Sequence, residues 1–247
     1  MTDPAAERIG RFAREVYQSS TMGALLGGVY DGIVTIDELL RHGDFGLGTF
    51  NRLDGEMVIL DGICHHLRAD GSAAIADGDD RTPFAAVTRF RPDLAFAAPA
   101  RADRAALTGA IDARLPTENL IYAIRVDGVF DAVHTRTVAA QTPPYPPLVE
   151  ATRRQAEATL TGVAGTLAGF RMPRYEQGIS VAGYHLHFLA ADRRHGGHAL
   201  DFRLSHGDVQ VSESTDLHLS LQASPEFLRA DLSPAGMAEQ IRTAEGS

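Results

Sequence analysis

Apolar positions along this chain fall mostly in short runs broken by glycine, a pattern of strands and tight turns rather than of long amphipathic helices. Strand-like runs occupy 47–52, 56–60 and 63–68, with Asp54-Gly55 and Asp61-Gly62 as the turns between them. Another strand is predicted at 85–90. Residues 120–126 and 129–140 read as two strands paired around Asp127-Gly128. Further β-type runs lie at 162–170, 178–189, 198–204 and 209–221. Helical spacing is rarer. Ile9, Phe12, Ala13 and Val16 predict a helix over 3–17, and 101–115 and 148–157 have helical character. Phe227, Leu228, Leu232, Met237 and Ile241 predict a helical tail. Thr35 and Glu38 form a capping-box pair that opens a short helix through Arg41. The glycine-rich 19–32 stretch reads as a tight loop or a closely packed strand, with ordinary turn glycine the simpler explanation.

Strands outnumber helices and no βα alternation runs through the chain, so the expected class is α+β, with mixed and antiparallel sheets and short flanking helices. Four prolines flank Tyr145 within 142–147 and make a rigid connector. A boundary is expected near Pro116 or within that connector; at Pro116 it would divide the chain into an N-terminal α/β domain, 1–116, and a C-terminal β-rich domain, 117–247.

Composition narrows the function classes. The 247 residues are 44% hydrophobic and 22% charged, values of a folded chain. A formal net charge of −9 argues against general nucleic-acid binding, which requires a basic surface. Cys64 is the only cysteine, so no intrachain disulfide can form. No apolar run is long enough to span a bilayer, and the first 17 residues lack the apolar segment of a secretory signal, so a cytoplasmic protein is expected.

The most informative segment is Gly183-Tyr184-His185-Leu186-His187-Phe188-Leu189. Its period of two sets His185 and His187 on one face of a strand. Gly196-Gly197 permits a turn before His198, and if His198 lies opposite His187 all three imidazoles converge. Three neutral imidazoles suit Zn2+ and leave coordination positions open for a substrate. His-x-His also occurs on metal-free sheet surfaces, and His195 competes as the third ligand from the charged stretch 192–195. Among the acids, Glu56 opens an apolar run and would have a raised pKa if desolvated, although an exposed strand end is the plainer expectation. Arg136 interrupts an apolar strand and needs an anionic partner, structural or substrate-borne. Glu245, close to the C-terminus, would ordinarily be dismissed as frayed.

Gly46-Leu47-Gly48-Thr49-Phe50, Leu53-Asp54-Gly55-Glu56, Tyr122-Ala123-Ile124-Arg125, Thr135-Arg136-Thr137-Val138, the 180–188 run and Gly196-Gly197-His198 together resemble the acetolactate decarboxylase family, over about 18–246. The resemblance implies a two-domain protein, usually a homodimer, that converts 2-acetolactate to acetoin and carbon dioxide. It implies zinc held by His185, His187 and His198 rather than by His195, and active-site roles for Thr49, Glu56, Arg136 and Glu245. In the expected mechanism zinc binds the keto and hydroxyl oxygens, Arg136 positions the carboxylate or the developing anion, and Glu56 or Glu245 protonates the enediolate. One stretch departs from the family: Ile63-Cys64-His65-His66 stands where an acidic or polar-aromatic stretch is common, which puts packing near Glu56 in question. A second metal site there is disfavoured because consecutive strand residues face opposite ways. Two other readings are an enzyme whose open zinc activates water beside a glutamate, and a non-enzymatic binding module. A zinc hydrolase lacks its His-Glu-x-x-His motif here, and a metal-stabilised small-molecule-binding module would need a closed fourth ligand.

Overall fold

The computed structural model describes residues 15–245. The chain runs through β1 (Glu15–Ser19), α1 (Met22–Leu26), β2 (Val34–Thr35) and α2 (Ile36–His42). Next come β3 (Phe45–Thr49), β4 (Glu56–Leu60), β5 (Ile63–Leu67), β6 (Ala73–Ile75), β7 (Arg81–Thr82), β8 (Phe84–Thr88), β9 (Leu94–Ala97) and β10 (Ala102–Asp103). After α3 (Arg104–Asp112) come the long β11 (Ile121–Thr137), α4 (Leu148–Ala151) and β12 (Ala156–Met172). The chain closes with β13 (Gly183–Ala190), β14 (Gly196–Ser214), β15 (Asp216–Ser220), α5 (Pro225–Arg229) and α6 (Met237–Glu245).

The fold is mixed, as expected from the excess of strands. One sheet has the order β15-β1-β8-β3-β4-β5-β6, parallel only at the β1–β15 pair. The other has the order β10-β14-β11-β12-β13, with β9 added to β14. The start of β14 also pairs with the end of β13, so four strands of this sheet close on themselves. Strands from either side of Pro116 share both sheets. The sheets stack through Phe45, Leu47, Val58 and Ala86 of one and Ala123, Ala168, Phe170 and Leu189 of the other, all buried. The larger of these side chains, Phe, Leu and Val, each contribute about 1.5–3 kcal/mol by leaving water. A second core, including Leu107 and Ile111 of α3, covers the far face of the six-stranded sheet. No helix among the described residues is long and apolar enough to cross a membrane.

Several elements differ from the sequence expectation. Residues 15–17 of the expected 3–17 helix are strand, because β8 and β15 claim the backbone of β1 on both edges; the remainder lies outside the described residues. The 19–32 stretch contains a helix, α1, capped by the Thr21 hydroxyl, which accepts from Ala24 N–H. Residues 120–140 do not fold back at Asp127-Gly128. Residues 121–137 form the single strand β11, in which Gly128 sits between Gly165 and Gly207 of its two neighbours. A Cβ there would meet the His206 carbonyl at 2.5 Å, so this glycine serves close strand approach rather than a turn. Likewise 198–204 belongs to one long β14. The Thr35 cap holds: its hydroxyl accepts from Glu38 N–H and α2 extends to His42. The tail is two helices, α5 and α6, rather than one, with Pro234 and Gly236 in the link between them.

Candidate active site

Strand register builds the site. In β11 and β14, Arg136 is the partner of His198; in β14 and β13, His198 is the partner of His187. Laterally paired residues project to one face, so the three side chains form a row across three strands. His185, two residues before His187 on β13, adds a fourth side chain on that face. The ring centroids of the three histidines lie 5.0–5.3 Å apart. Each offers a nitrogen within 4.8 Å of the other two, so the cluster could hold a metal ion, and it is the only such group among the described residues. His195 is outside it, exposed on the β13–β14 turn and facing Asp192.

Hydrogen bonding sets the tautomers. His187 Nδ1 lies 2.8 Å from the Met57 carbonyl, and His198 Nε2 lies 3.0 Å from the Glu245 carbonyl. A carbonyl only accepts, so each of these nitrogens carries the proton. The opposite nitrogens, His187 Nε2 and His198 Nδ1, are then bare lone pairs, buried and without a hydrogen-bond partner. Backbone acceptors behind imidazoles orient them for metal, and two buried orphan lone pairs fit a cation. Burial, with Arg136 adding repulsion in all three and neighbouring histidines doing so in His187 and His198, pushes His185 and His187 down to about 3 and His198 well below its ordinary value. All three are neutral, the state a metal ligand requires.

Two carboxylates flank this cluster. Glu56 is the first residue of β4, and its Oε2 is 3.5 Å from His187 Nε2. It is buried rather than an exposed strand end, because the seven-stranded sheet stacks this end of β4 against β13. Burial pushes its carboxyl up to about 7; Arg136 opposes the shift and Glu245 adds to it. Glu245 arrives on α6, whose Ile241 and Ala244 are buried with Met22, Leu25 and Leu148. Its Oε2 is 2.9 Å from Arg136 Nη2 and 3.6 Å from both His185 Nε2 and His198 Nδ1. Glu245, expected to fray, is therefore docked. Arg136 also donates from Nη1 to Gln155 Oε1, and its buried Nε–H has no acceptor. Thr49 spends its hydroxyl proton on the Gly55 carbonyl at 2.7 Å.

A small cavity of about 40 Å³ joins Thr49, Glu56, Arg136, His185 and Glu245. Its remaining wall is mainly apolar, including Met22, Leu25, Leu53, Phe84, Val138 and Leu148. Space of this order admits a few waters. The lining thus brings charged and apolar side chains together around one small space. Sequence reasoning missed the apolar wall, Gln155 and the Met57 carbonyl. Met22 and Leu25 do stand at helical spacing, but the surrounding glycines masked the helix; a main-chain acceptor has no sequence signal. The Cys64, His65 and His66 run lies apart from the histidine cluster. Cys64 is buried with its thiol pushed up to about 12 by burial, and His66 stacks on Phe50.

The chain is similar to known proteins over most of its length. The family described as alpha-acetolactate decarboxylase matches residues 16–234. Alpha-acetolactate decarboxylase of Bacillus subtilis (strain 168) is 44% identical, covering 94% of this chain and 91% of the relative. The enzyme of the same name from Methylococcus capsulatus is 46% identical, over 96% of this chain and 91% of the relative. The crystal structure of the Bacillus subtilis strain 168 protein superposes with a TM-score of 0.93, over 94% of this chain and all of that one.

Proposed function

Because the chain belongs to the alpha-acetolactate decarboxylase family and is a decarboxylase of acetolactate, we propose that its reaction runs at a metal centre formed by His185, His187 and His198, with Zn2+ as the ion. The observation that carries this reading is the pair of bare, buried, unpartnered lone pairs on His187 Nε2 and His198 Nδ1, each fixed by a backbone carbonyl behind its ring. Zinc, when bound, supplies a Lewis acid for the keto and hydroxyl oxygens of the substrate.

This chain's own residues do the rest. The unclaimed Nε–H of Arg136 points to a role in holding the substrate anion by a charge-assisted hydrogen bond. Thr49 has already given its proton to Gly55, so towards substrate its oxygen can only accept, which suits the 2-hydroxyl. The bond from C2 to the carboxyl carbon breaks, carbon dioxide leaves, and the electron pair moves into the adjacent carbonyl as an enediolate. To Glu56, whose carboxyl pKa is raised by burial, we assign the return of a proton to carbon that gives acetoin. Glu245 holds Arg136 and, through its main chain, His198, so it orients the machinery from the C-terminal side. The apolar wall excludes water from the enediolate. In the same reading the enzyme acts as a cytoplasmic homodimer. The test is direct: acetoin formed from racemic 2-acetolactate by the purified protein should vanish on chelation and return with zinc. Full turnover in metal-free protein would refute the metal centre.

A further inference from the structure

We propose that His66 is a positioning residue for Glu56, holding the turn from which that carboxyl enters β4. The proposal rests on the reading of Glu56 as proton donor and deepens it. His66 lies on β5, buried, with its ring stacked on Phe50 at 3.9 Å between centroids. Burial pushes its pKa below the ordinary histidine value, so the ring is neutral and has one N–H to give. Nε2 gives it to the Asp54 carbonyl, while Nδ1 is buried without a partner.

The peptide that receives this bond lies two residues before Glu56. The next carbonyl, of Gly55, takes the Thr49 hydroxyl, and Gly55 N–H donates to the Val138 carbonyl at 3.0 Å. The carbonyl of Met57 takes His187 Nδ1–H. Over the four residues 54–57, three carbonyls are thus claimed by side chains, and Glu56 projects from the middle of the clamped segment. Gly55 has φ +81°, and a Cβ on it would meet the Leu67 carbonyl at 2.1 Å, so the turn is also pressed onto β5. His66 is the outermost of these clamps. Asp54 is only half buried, so water can take over its carbonyl if the ring donor is lost. Loss of His66 should therefore spare the fold and loosen the placement of the Glu56 carboxyl against His187, now 3.5 Å away. Proton delivery is sensitive to such misplacement.

The experiment compares His66→Phe, which keeps a stackable ring without an N–H, with His66→Gln, whose amide nitrogen can reach the same carbonyl. Each is made in the parent and in Glu56→Gln, and kcat, KM and bound metal are measured. His66→Phe should lower kcat about tenfold with KM and metal content unchanged, and His66→Gln should recover to within about threefold. In the residual turnover of Glu56→Gln, His66→Phe should cost nothing further, since both changes act through one carboxyl. Equal losses in both backgrounds, no rescue by glutamine, or an unchanged kcat would each overturn the proposal. If the phenylalanine variant does not fold, His66→Met carries the same comparison. Glu56→Gln alone reports separately on the donor: parent turnover there sinks that reading, whereas a slow Glu56→Gln with a normal His66→Phe sinks only the role of His66.

Discussion

Glu245 Oε2 lies 2.9 Å from Arg136 Nη2, an ion pair closed between residues 109 positions apart and almost entirely out of water. Removing one partner of such a pair strands the other. Truncation after Thr243 should therefore cost about 3–5 kcal/mol, seen as a lower thermal midpoint, together with loss of turnover. Glu245→Gln keeps a hydrogen-bond acceptor for Arg136 but not its counter-charge, so it should lose less stability than the truncation while lowering turnover sharply. Parent-level acetoin production by both variants would show the tail to be dispensable.

Arg136→Lys should fold, since an ammonium can still pair with Glu245, yet lose at least about a hundredfold in turnover. A single point charge cannot serve Glu245, Gln155 and a substrate anion together as the planar guanidinium does. Steady-state kinetics decide this, and near-parent kcat/KM in the lysine variant would remove the substrate role.

His187→Ala and His198→Ala should each empty the metal site and abolish acetoin formation. His195→Ala should do neither, because its ring faces Asp192 on an exposed turn. Metal analysis of the purified variants separates the cases; full metal in His198→Ala would displace it from the ligand set.

The Glu56 carboxyl, raised by burial from 4.5 to about 7, makes the stability of metal-stripped protein pH-dependent. The folded state binds this proton more tightly than the unfolded chain does. Its contribution is therefore full below about pH 4.5 and is lost as pH rises through about 7. The loss is on the order of 3 kcal/mol, at about 1.4 kcal/mol per pH unit. Glu56→Gln should remove that slope and melt higher than the parent at pH 8. Parallel melting curves for the two proteins from pH 4.5 to 8 would contradict it.

Much of the site was legible before folding. The period-two His185 and His187, followed after Gly196-Gly197 by His198, required only a local hairpin to converge, and the register delivers it. The Thr35 cap and the strands at Glu56–Leu60 and Ile63–Leu67 were equally local. Asp127-Gly128 misled, because the dipeptide is a turn signal in isolation. Here Gly128 is held within a ladder on both sides, where pairing outweighs local preference.

By itself, then, the sequence determined what local periodicity and residue chemistry can encode: strand-rich architecture, three imidazoles on one face, a lone arginine in an apolar strand and the family pattern that gathers them. Only the tertiary structure decided the long-range matters. It docked α6 so that a terminal glutamate meets Arg136, buried Glu56 against β13, and aimed the Met57 and Glu245 carbonyls at the backs of two histidines. The physical reason is that burial, desolvation and main-chain hydrogen bonding belong to the packed sheets. A carboxylate's pKa or an imidazole's tautomer is set by neighbours that sequence distance does not reveal.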